Sequence, residues 1–366
     1  MPHRVPRASG RTPVRSPTMD LPSPHTVHAT ADPFGERLAH RFVLHRQVLG
    51  GRFRFESESE ALLQLVESAY GRLPGHRLPG GGAPFHVALR LGAMRAVRPA
   101  APPPVQVHSG AGLLCGVMDE CNYVTLDPHG RRALVVASRD MLAHPYHLRY
   151  ELIEFAVFTL ATRGLGLVPL HGACVGRAGR GVLLLGESGS GKSTLALHSL
   201  LCGLDFLAED AVFVRPDPLL ATGVPNFLHV RPEALRFVDD MHVRDWIGRA
   251  PLIRRRSGVE KREADLRHGR WPLADAPLEL AAAVFVSPRP AAAGTALLAR
   301  LPAEEAVTRL FASQPYAAGQ PGWHHFVQQL TWRGVYELRR GTHPRASVEA
   351  LQALLTDAPA AVGVGG

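Results

Sequence analysis

The spacing of apolar residues changes several times along the chain, and each change predicts an element. In "EALLQLVESAYGRL" (60–73) the apolar positions recur at helical spacing. "FHVALRLG" (85–92) alternates apolar and polar residues, the period of a half-buried strand. "NYVTLDPHGRRALVVAS" (122–138) reads as a hairpin turning at Asp127-Pro128-His129-Gly130. "LRYELIEFAVFTLATRG" (148–164) predicts a largely buried helix ending at a glycine. "APPPVQVHSG" marks a turn or linker. From about residue 166 the texture shifts. Strands are expected at 168–175 and 181–185 around a glycine-rich turn, then a helix at 193–202 and a strand within "DFLAEDAVFV". Further strands are expected at 281–287, 294–301 and 334–340, and a closing helix at 346–355. The segment 252–271, dense in Arg and Glu, reads as a long charged loop.

This alternation predicts an α/β protein. A small N-terminal α/β domain is expected at 35–165, for docking or substrate recognition, and a catalytic domain at 166–366. Residues 1–34, rich in Pro, Arg, Ser and Thr without apolar periodicity, are expected to be a disordered tail.

Composition changes this picture little. Of 366 residues, 46% are hydrophobic and 20% charged, ordinary values for a globular chain. No apolar run approaches the roughly 20 residues that span a membrane, so a soluble, cytoplasmic protein is expected. The net charge is +9, and all but two of the 41 basic residues are Arg; the lysines are Lys192 and Lys261. Arg richness beside abundant Ala, Gly and Pro looks like coding bias, weak ground for a nucleic-acid partner. Four cysteines without a CxxC pair read as free thiols, and His144, His147, His324 and His325 lack acidic or thiol partners at metal-ligand spacing.

One motif carries chemistry. Gly186-Glu187-Ser188-Gly189-Ser190-Gly191-Lys192-Ser193, followed by Thr194, fits G-x-x-x-x-G-K-[ST] between a predicted strand and a predicted helix. In such a loop the glycines turn backbone N–H groups toward phosphates and the helix N-terminus adds partial positive charge. Lys192 would reach the outer phosphates of ATP, and the Ser193 hydroxyl would bind Mg²⁺. Glu209 and Asp210 follow the loop lysine by only 17 and 18 residues. Strand alternation would send these neighbours to opposite sides, whereas a bend in the backbone would let both converge. A bare ATPase needs one acid for its metal; a kinase also uses one to accept the proton of an attacking hydroxyl.

Leu170-His171-Gly172, the loop Gly186 to Ser193, Gly203 and the pair Glu209-Asp210 together resemble the catalytic domain of HPr kinase/phosphorylases. The resemblance implies a P-loop kinase fold shared with phosphoenolpyruvate carboxykinase. It also implies ATP and Mg²⁺ as cofactors and transfer of the γ-phosphate to a hydroxyl, Ser above all, of a protein or peptide. It casts Glu209 as the base for that hydroxyl, Asp210 with Ser193 as metal ligands, and His171 beside the pair. The chain departs from the family in carrying Glu rather than Asp as first acid. In addition, "GVPNFLHVRPEALRF" (223–237) stands where the family has an acid and an Arg-Gly strand. The better match is the divergent HPr-kinase-related group (HprK-related kinase A type), whose resemblance implies a PqqD-like peptide-binding partner; the wider family implies a homo-oligomer. The rival reading is a nucleotide-gated peptide- or protein-binding module that transfers nothing. It would need Lys192, Ser193 and Asp210 but not Glu209. A GTP switch or an ABC-type ATPase would show N-K-x-D or LSGGQ-like signatures, which the chain lacks.

Overall fold

The computed structural model describes residues 42–80, 82–95, 101–292 and 294–356. The tail expected at 1–34 lies outside them. The described residues fall within one compact unit, built on two main sheets.

The strands of the first sheet are β1 (Phe42–Val48), β2 (Gly51–Ser57), β3 (Phe85–Gly92), β4 (Gln106–Gly110), β5 (Leu113–Asp119), β6 (Asn122–Asp127) and β7 (Arg132–Ser138). Their order across the sheet is β1-β2-β3-β7-β6-β5-β4. β3 and the β6–β7 hairpin lie where the alternation predicts them, while β4 occupies part of the expected linker. The helix Glu60–Tyr70 connects the β1–β2 hairpin to β3, which pairs parallel with β2. Leu62, Leu63 and Val66 from this helix share one core with Phe53, Phe55 and Phe85 of the sheet and with Ala156, Val157 and Leu160 of the helix Glu154–Leu165. The long predicted helix is therefore present, with two differences. Its first part, Leu148–Ile153, is wound as a π-helix, and the left-handed cap is Gly166 (φ +65°), two residues beyond Gly164.

The second sheet contains β8 (Val168–His171), β9 (Ala173–Arg177), β10 (Arg180–Leu185), β11 (Asp205–Ala208), β12 (Ala211–Arg215), β13 (Leu220–Thr222), β17 (Leu278–Pro290), β18 (Leu298–Arg300) and β19 (Val335–Arg340). Its path runs β11-β9-β10-β17-β13-β12-β8, with β19 on β17 and β18 on β19. β11 continues almost directly into β12 and β8 into β9, so the path curls back until its ends meet. The single strand expected at 168–175 is thus two, broken at Gly172. Leu183 and Leu185 of β10 enter a core with Trp323, Phe326 and Leu330 of the helix Trp323–Arg333. Val182 and Leu184 enter a different core with Leu195, Ala196 and Leu200 of the helix Lys192–Leu201 and Leu351 of the helix Pro344–Thr356. Helices on both faces explain why β10 is a continuous apolar run.

The segment expected as a charged loop is not one. β15 (Leu252–Arg254) and β16 (Glu260–Asp265) form a hairpin that pairs with β14 (Phe227–Val230) in a third, antiparallel sheet of order β14-β16-β15. Two of its charges are held by ion-pair partners from the π-helix. Arg149 of the π-helix pairs with Glu263, and Arg256 pairs with Glu151. Among the described residues no helix is long and apolar enough to cross a membrane.

Candidate active site

β10 delivers the chain into the loop and the helix Lys192–Leu201 carries it away, the context that the motif demands. Gly186 has φ +135°, and a Cβ there would stand 2.8 Å from the Val286 carbonyl oxygen; Gly191 has φ +108°. Both positions exclude a side chain on conformational grounds. The Lys192 ammonium donates to the carbonyls of Gly186 (2.6 Å) and Glu187 (3.0 Å), closing the loop upon itself. Burial lowers its pKa. Ser188, Gly189, Gly191, Lys192, Ser193 and Thr194 line one cleft with His171, Glu209 and Asp210. Gly186, Glu187 and Ser190 shape the loop without lining that cleft; Glu187 is exposed and Ser190 buried.

The acid pair sits in the break between β11 and β12, beside the break between β8 and β9. The Gly172 N–H donates to the Asp210 carbonyl (3.2 Å) and ties the two breaks together. This brings His171 to Asp210, with Nδ1 3.7 Å from Oδ1. The backbone of His171 is fixed in turn by Gln314, whose side chain bonds its N–H and its carbonyl.

The two carboxylates occupy opposite environments. Glu209 is 4% exposed. Its Oε1 accepts from the Ser193 hydroxyl and lies 3.3 Å from Lys261 Nζ. Its Oε2 accepts from the His229 backbone N–H (3.1 Å) and lies 2.8 Å from His229 Nδ1. Burial alone would raise its pKa, but the bonds from His229, Lys261 and Ser193 outweigh that and hold it well below the usual range. Burial likewise pushes His229 down, and its bonds to Glu209 and Glu263 more than restore it, so the imidazolium is favoured. The Asp210 side chain is 40% exposed and pairs with Arg255 Nη1 at 2.6 Å. Burial and the Glu209 charge push its pKa up; Arg255 and His171 prevail and leave it lowered.

Arg231 and Arg255 line the cleft, where a phosphate could meet them. Arg215 instead donates to the Pro79 carbonyl, Arg256 is engaged with Glu151 and the carbonyls of Pro102 and Pro103, and Arg254 is exposed. Four further polar residues, Lys261, His229, Glu263 and Arg149, join the site without any motif announcing them. His229 bridges Glu209 to Glu263, with Nε2 3.3 Å from Glu263 Oε1. Glu263 also accepts from Tyr150 (2.8 Å) and from Arg149. The one signal for Lys261 is its rarity; His229, Glu263 and Arg149 carry none, because their partners lie far away in the chain.

The donor set at the loop is hard oxygen, namely the Ser193 hydroxyl and the Glu209 carboxylate, which fits a small dication. Among the described residues no group of three or more His, Cys, Asp or Glu could hold a metal ion. A metal at Ser193 would therefore draw most of its shell from phosphate oxygens and water.

No protein-family model matches the chain. Curated relatives match it over limited stretches. An HPr kinase/phosphorylase of Geobacter sulfurreducens is 36% identical over 106 residues, 28% of this chain and 33% of that protein. One of Xanthomonas campestris is 40% identical over 105 residues, 28% of this chain and 30% of that protein. One of Cupriavidus necator is 43% identical over 70 residues, 18% of this chain and 22% of that protein. The chain thus spans a third or less of the length of these relatives. Among solved structures, a Hpr(Ser) kinase/phosphatase from Coxiella burnetii aligns over 51% of this chain and 87% of its own, with 13% identity and a TM-score of 0.26. In sequence, over about a hundred residues, the chain is similar to proteins named as kinases, the HPr kinase/phosphorylases.

Proposed function

We propose that the chain is a kinase that uses ATP and Mg²⁺ to phosphorylate a hydroxyl, a serine of a protein or peptide. The observation that carries this reading is the contrast within the acid pair. Glu209 is buried on the Ser193 hydroxyl, and Asp210 opens on the same cleft with no such tie. Once the metal is given to Glu209 rather than to Asp210, as argued below, a nucleotide-gated binding module has use for the first acid and none for the second. The local similarity to HPr kinase/phosphorylases supports the same chemistry. The subgroup resemblance adds a ribosomally made peptide as acceptor and a PqqD-like protein as its escort.

The geometry argues for exchanging the two roles that the family resemblance assigns. Glu209 is 4% exposed with both oxygens occupied, which leaves little room for an acceptor, while Ser193 binds its Oε1 where a metal would sit. Glu209 with Ser193 then holds the metal. Asp210, partly exposed and beside His171, meets the acceptor. Mg²⁺, when bound, neutralises the phosphate oxygens in the transition state. Lys192 leaves the carbonyls of Gly186 and Glu187 for the phosphates. The acceptor oxygen bonds to the γ-phosphorus, the bond from that phosphorus to the bridging oxygen of ADP breaks, and Asp210 takes the hydroxyl proton. A carboxylate of lowered pKa is a weak base, which suffices because the proton leaves late in a loose phosphoryl transfer. Arg255, paired with Asp210, stays charged and lies where negative charge would gather.

Paired substitutions test this assignment. Glu209→Gln should weaken Mg²⁺-dependent ATP binding, since an amide is a poor ligand for a hard cation. Asp210→Asn should bind Mg-ATP nearly as well as the parent yet transfer phosphate roughly 10²–10⁴-fold more slowly, the usual worth of a positioned base. Calorimetric titration and mass spectrometry of the acceptor read the two effects. The opposite pattern restores the family's assignment, full transfer activity in both variants removes the roles given to the acid pair, and a parent protein that turns over no ATP and transfers no phosphate removes the kinase reading.

A further inference from the structure

We propose that Lys261 is a second cation for the transferring phosphoryl group, parked on Glu209 until a metal claims that carboxylate. The inference rests on the nucleotide site argued above and extends it to a residue outside every motif.

The first argument is placement. Only two of the 41 basic residues are lysines, and the fold brings both to one cleft. Lys192 arrives with the phosphate loop. Lys261 arrives from β16, 69 positions later in the numbering, on a sheet that the loop does not belong to. The other 39 of those 41 basic residues are Arg. The two side chains are not equivalent. Arg is a planar fork suited to bidentate pairing, whereas Lys is a compact point charge on a flexible stem that can shift between anions.

The second argument is geometry. The Lys261 side chain is only 14% exposed, and Nζ lies 3.3 Å from Glu209 Oε1, the oxygen that also accepts from Ser193. A dication bound by Ser193 and Glu209 would take up that oxygen, and the ammonium could not remain beside it without strong repulsion. Lys261 lines the same cleft as Ser188, Gly189 and Lys192. Of the anions in that cleft, Asp210 is already paired with Arg255, so the outermost phosphate of a nucleotide in the loop would be the anion to which the displaced ammonium turns. Its backbone cannot drift, because Glu263, two residues on and so on the same face of β16, is fastened to Arg149, Tyr150 and His229.

A γ-phosphate ligand must discriminate ATP from ADP; a residue that merely steadies Glu209 need not. The test is to titrate Mg²⁺ with the β,γ-imido analogue of ATP, and Mg²⁺ with ADP, into the parent protein and its Lys261→Met and Lys261→Ala variants. Methionine keeps the apolar stem and so guards against a simple packing loss. Loss of a charge-assisted bond to phosphate should weaken the ATP analogue by roughly 10–100-fold. ADP affinity should change by less than about threefold. Lys261→Arg, which keeps the charge, should regain part of the discrimination. Equal losses for both nucleotides, or none for either, overturn the proposal while leaving the nucleotide site intact. A parent protein that binds neither nucleotide overturns the site itself and this inference with it.

Discussion

The phosphate loop and the three-stranded sheet β14-β16-β15 meet at the same carboxylate, Glu209, but they are held by different means. The loop is determined locally. Its glycines take backbone angles that other residues resist, its strand and helix are contiguous with it, and its lysine closes on carbonyls five and six residues away. The sheet is determined by distant partners. Glu263 is held by Arg149 across 114 residues, Arg256 by Glu151 across 105, and His229 by Glu209 across 20. A local device tolerates change elsewhere, whereas a buried ionic device fails when one partner goes. The N-terminal sheet and its π-helix are therefore part of the site's support, although none of their residues lines the cleft.

The strongest way to break the local half is Lys192→Ala. Its ammonium bonds only to the Gly186 and Glu187 carbonyls, so the fold should survive with a melting temperature within a few degrees of the parent. Mg-ATP affinity should fall by about 100-fold or more, because the lysine supplies charge-assisted bonds to the phosphates. Unchanged affinity in a calorimetric titration would remove the phosphate-binding assignment of the loop.

The next effect falls on the other half and on stability. Arg149 and Glu263 are 8% and 9% exposed in their side chains. Removing one member of a buried pair strands the other charge and costs about 3–5 kcal/mol. Glu263→Gln should therefore lower the unfolding free energy by about 3 kcal/mol. A double substitution, Arg149→Met with Glu263→Leu, should recover most of that loss, since an apolar pair of similar volume carries no stranded charge. If the single variant melts like the parent, the sheet is not held by this pair and the contrast with the loop disappears.

The same contrast explains what the sequence could disclose. The phosphate loop, the hairpin 122–138, strand β3 and the acid pair are visible because each is written in consecutive residues. β15 and β16 look like a loop because they offer no apolar alternation. Their buried residues are Ile253, Glu263 and Ala264, and one of these three is a charge held by Arg149. Alternation detects strands that bury apolar side chains, and it fails where a strand's inner face is made of ion pairs. The environments of Glu209 and Asp210 are also out of its reach. Adjacent residues share a spacing from the loop, and only the strand breaks at Gly172 and at Glu209-Asp210 decide which carboxylate is buried. The π-helix and its ties to Glu263 carry no sequence signature at all.

The smallest expected effect concerns pH, and it separates the two halves without touching either directly. Glu154 is buried beside the Arg149 and Glu263 pair, and burial pushes its pKa from 4.5 up to about 8. An acid whose folded pKa is raised contributes stability that is complete below its unfolded value and is lost as pH rises toward the folded one. His229, raised above 6.5, loses its contribution in the same direction, as the imidazolium that bridges Glu209 and Glu263 gives up its proton. Glu209 and Glu263 have lowered pKa values, and their contributions are present above about pH 4.5 and lost on acidification. The ionic support should thus be strongest near pH 5–6 and weaken toward about pH 9. Glu154→Gln removes one source of that slope. It should melt with the parent at about pH 5 and exceed it by about 1–3 kcal/mol at about pH 9. Thermal unfolding of both proteins at the two values decides the matter. A variant that differs from the parent by the same amount at both would show that Glu154 is ionised in the folded protein, and the alkaline weakening would then belong to His229 alone.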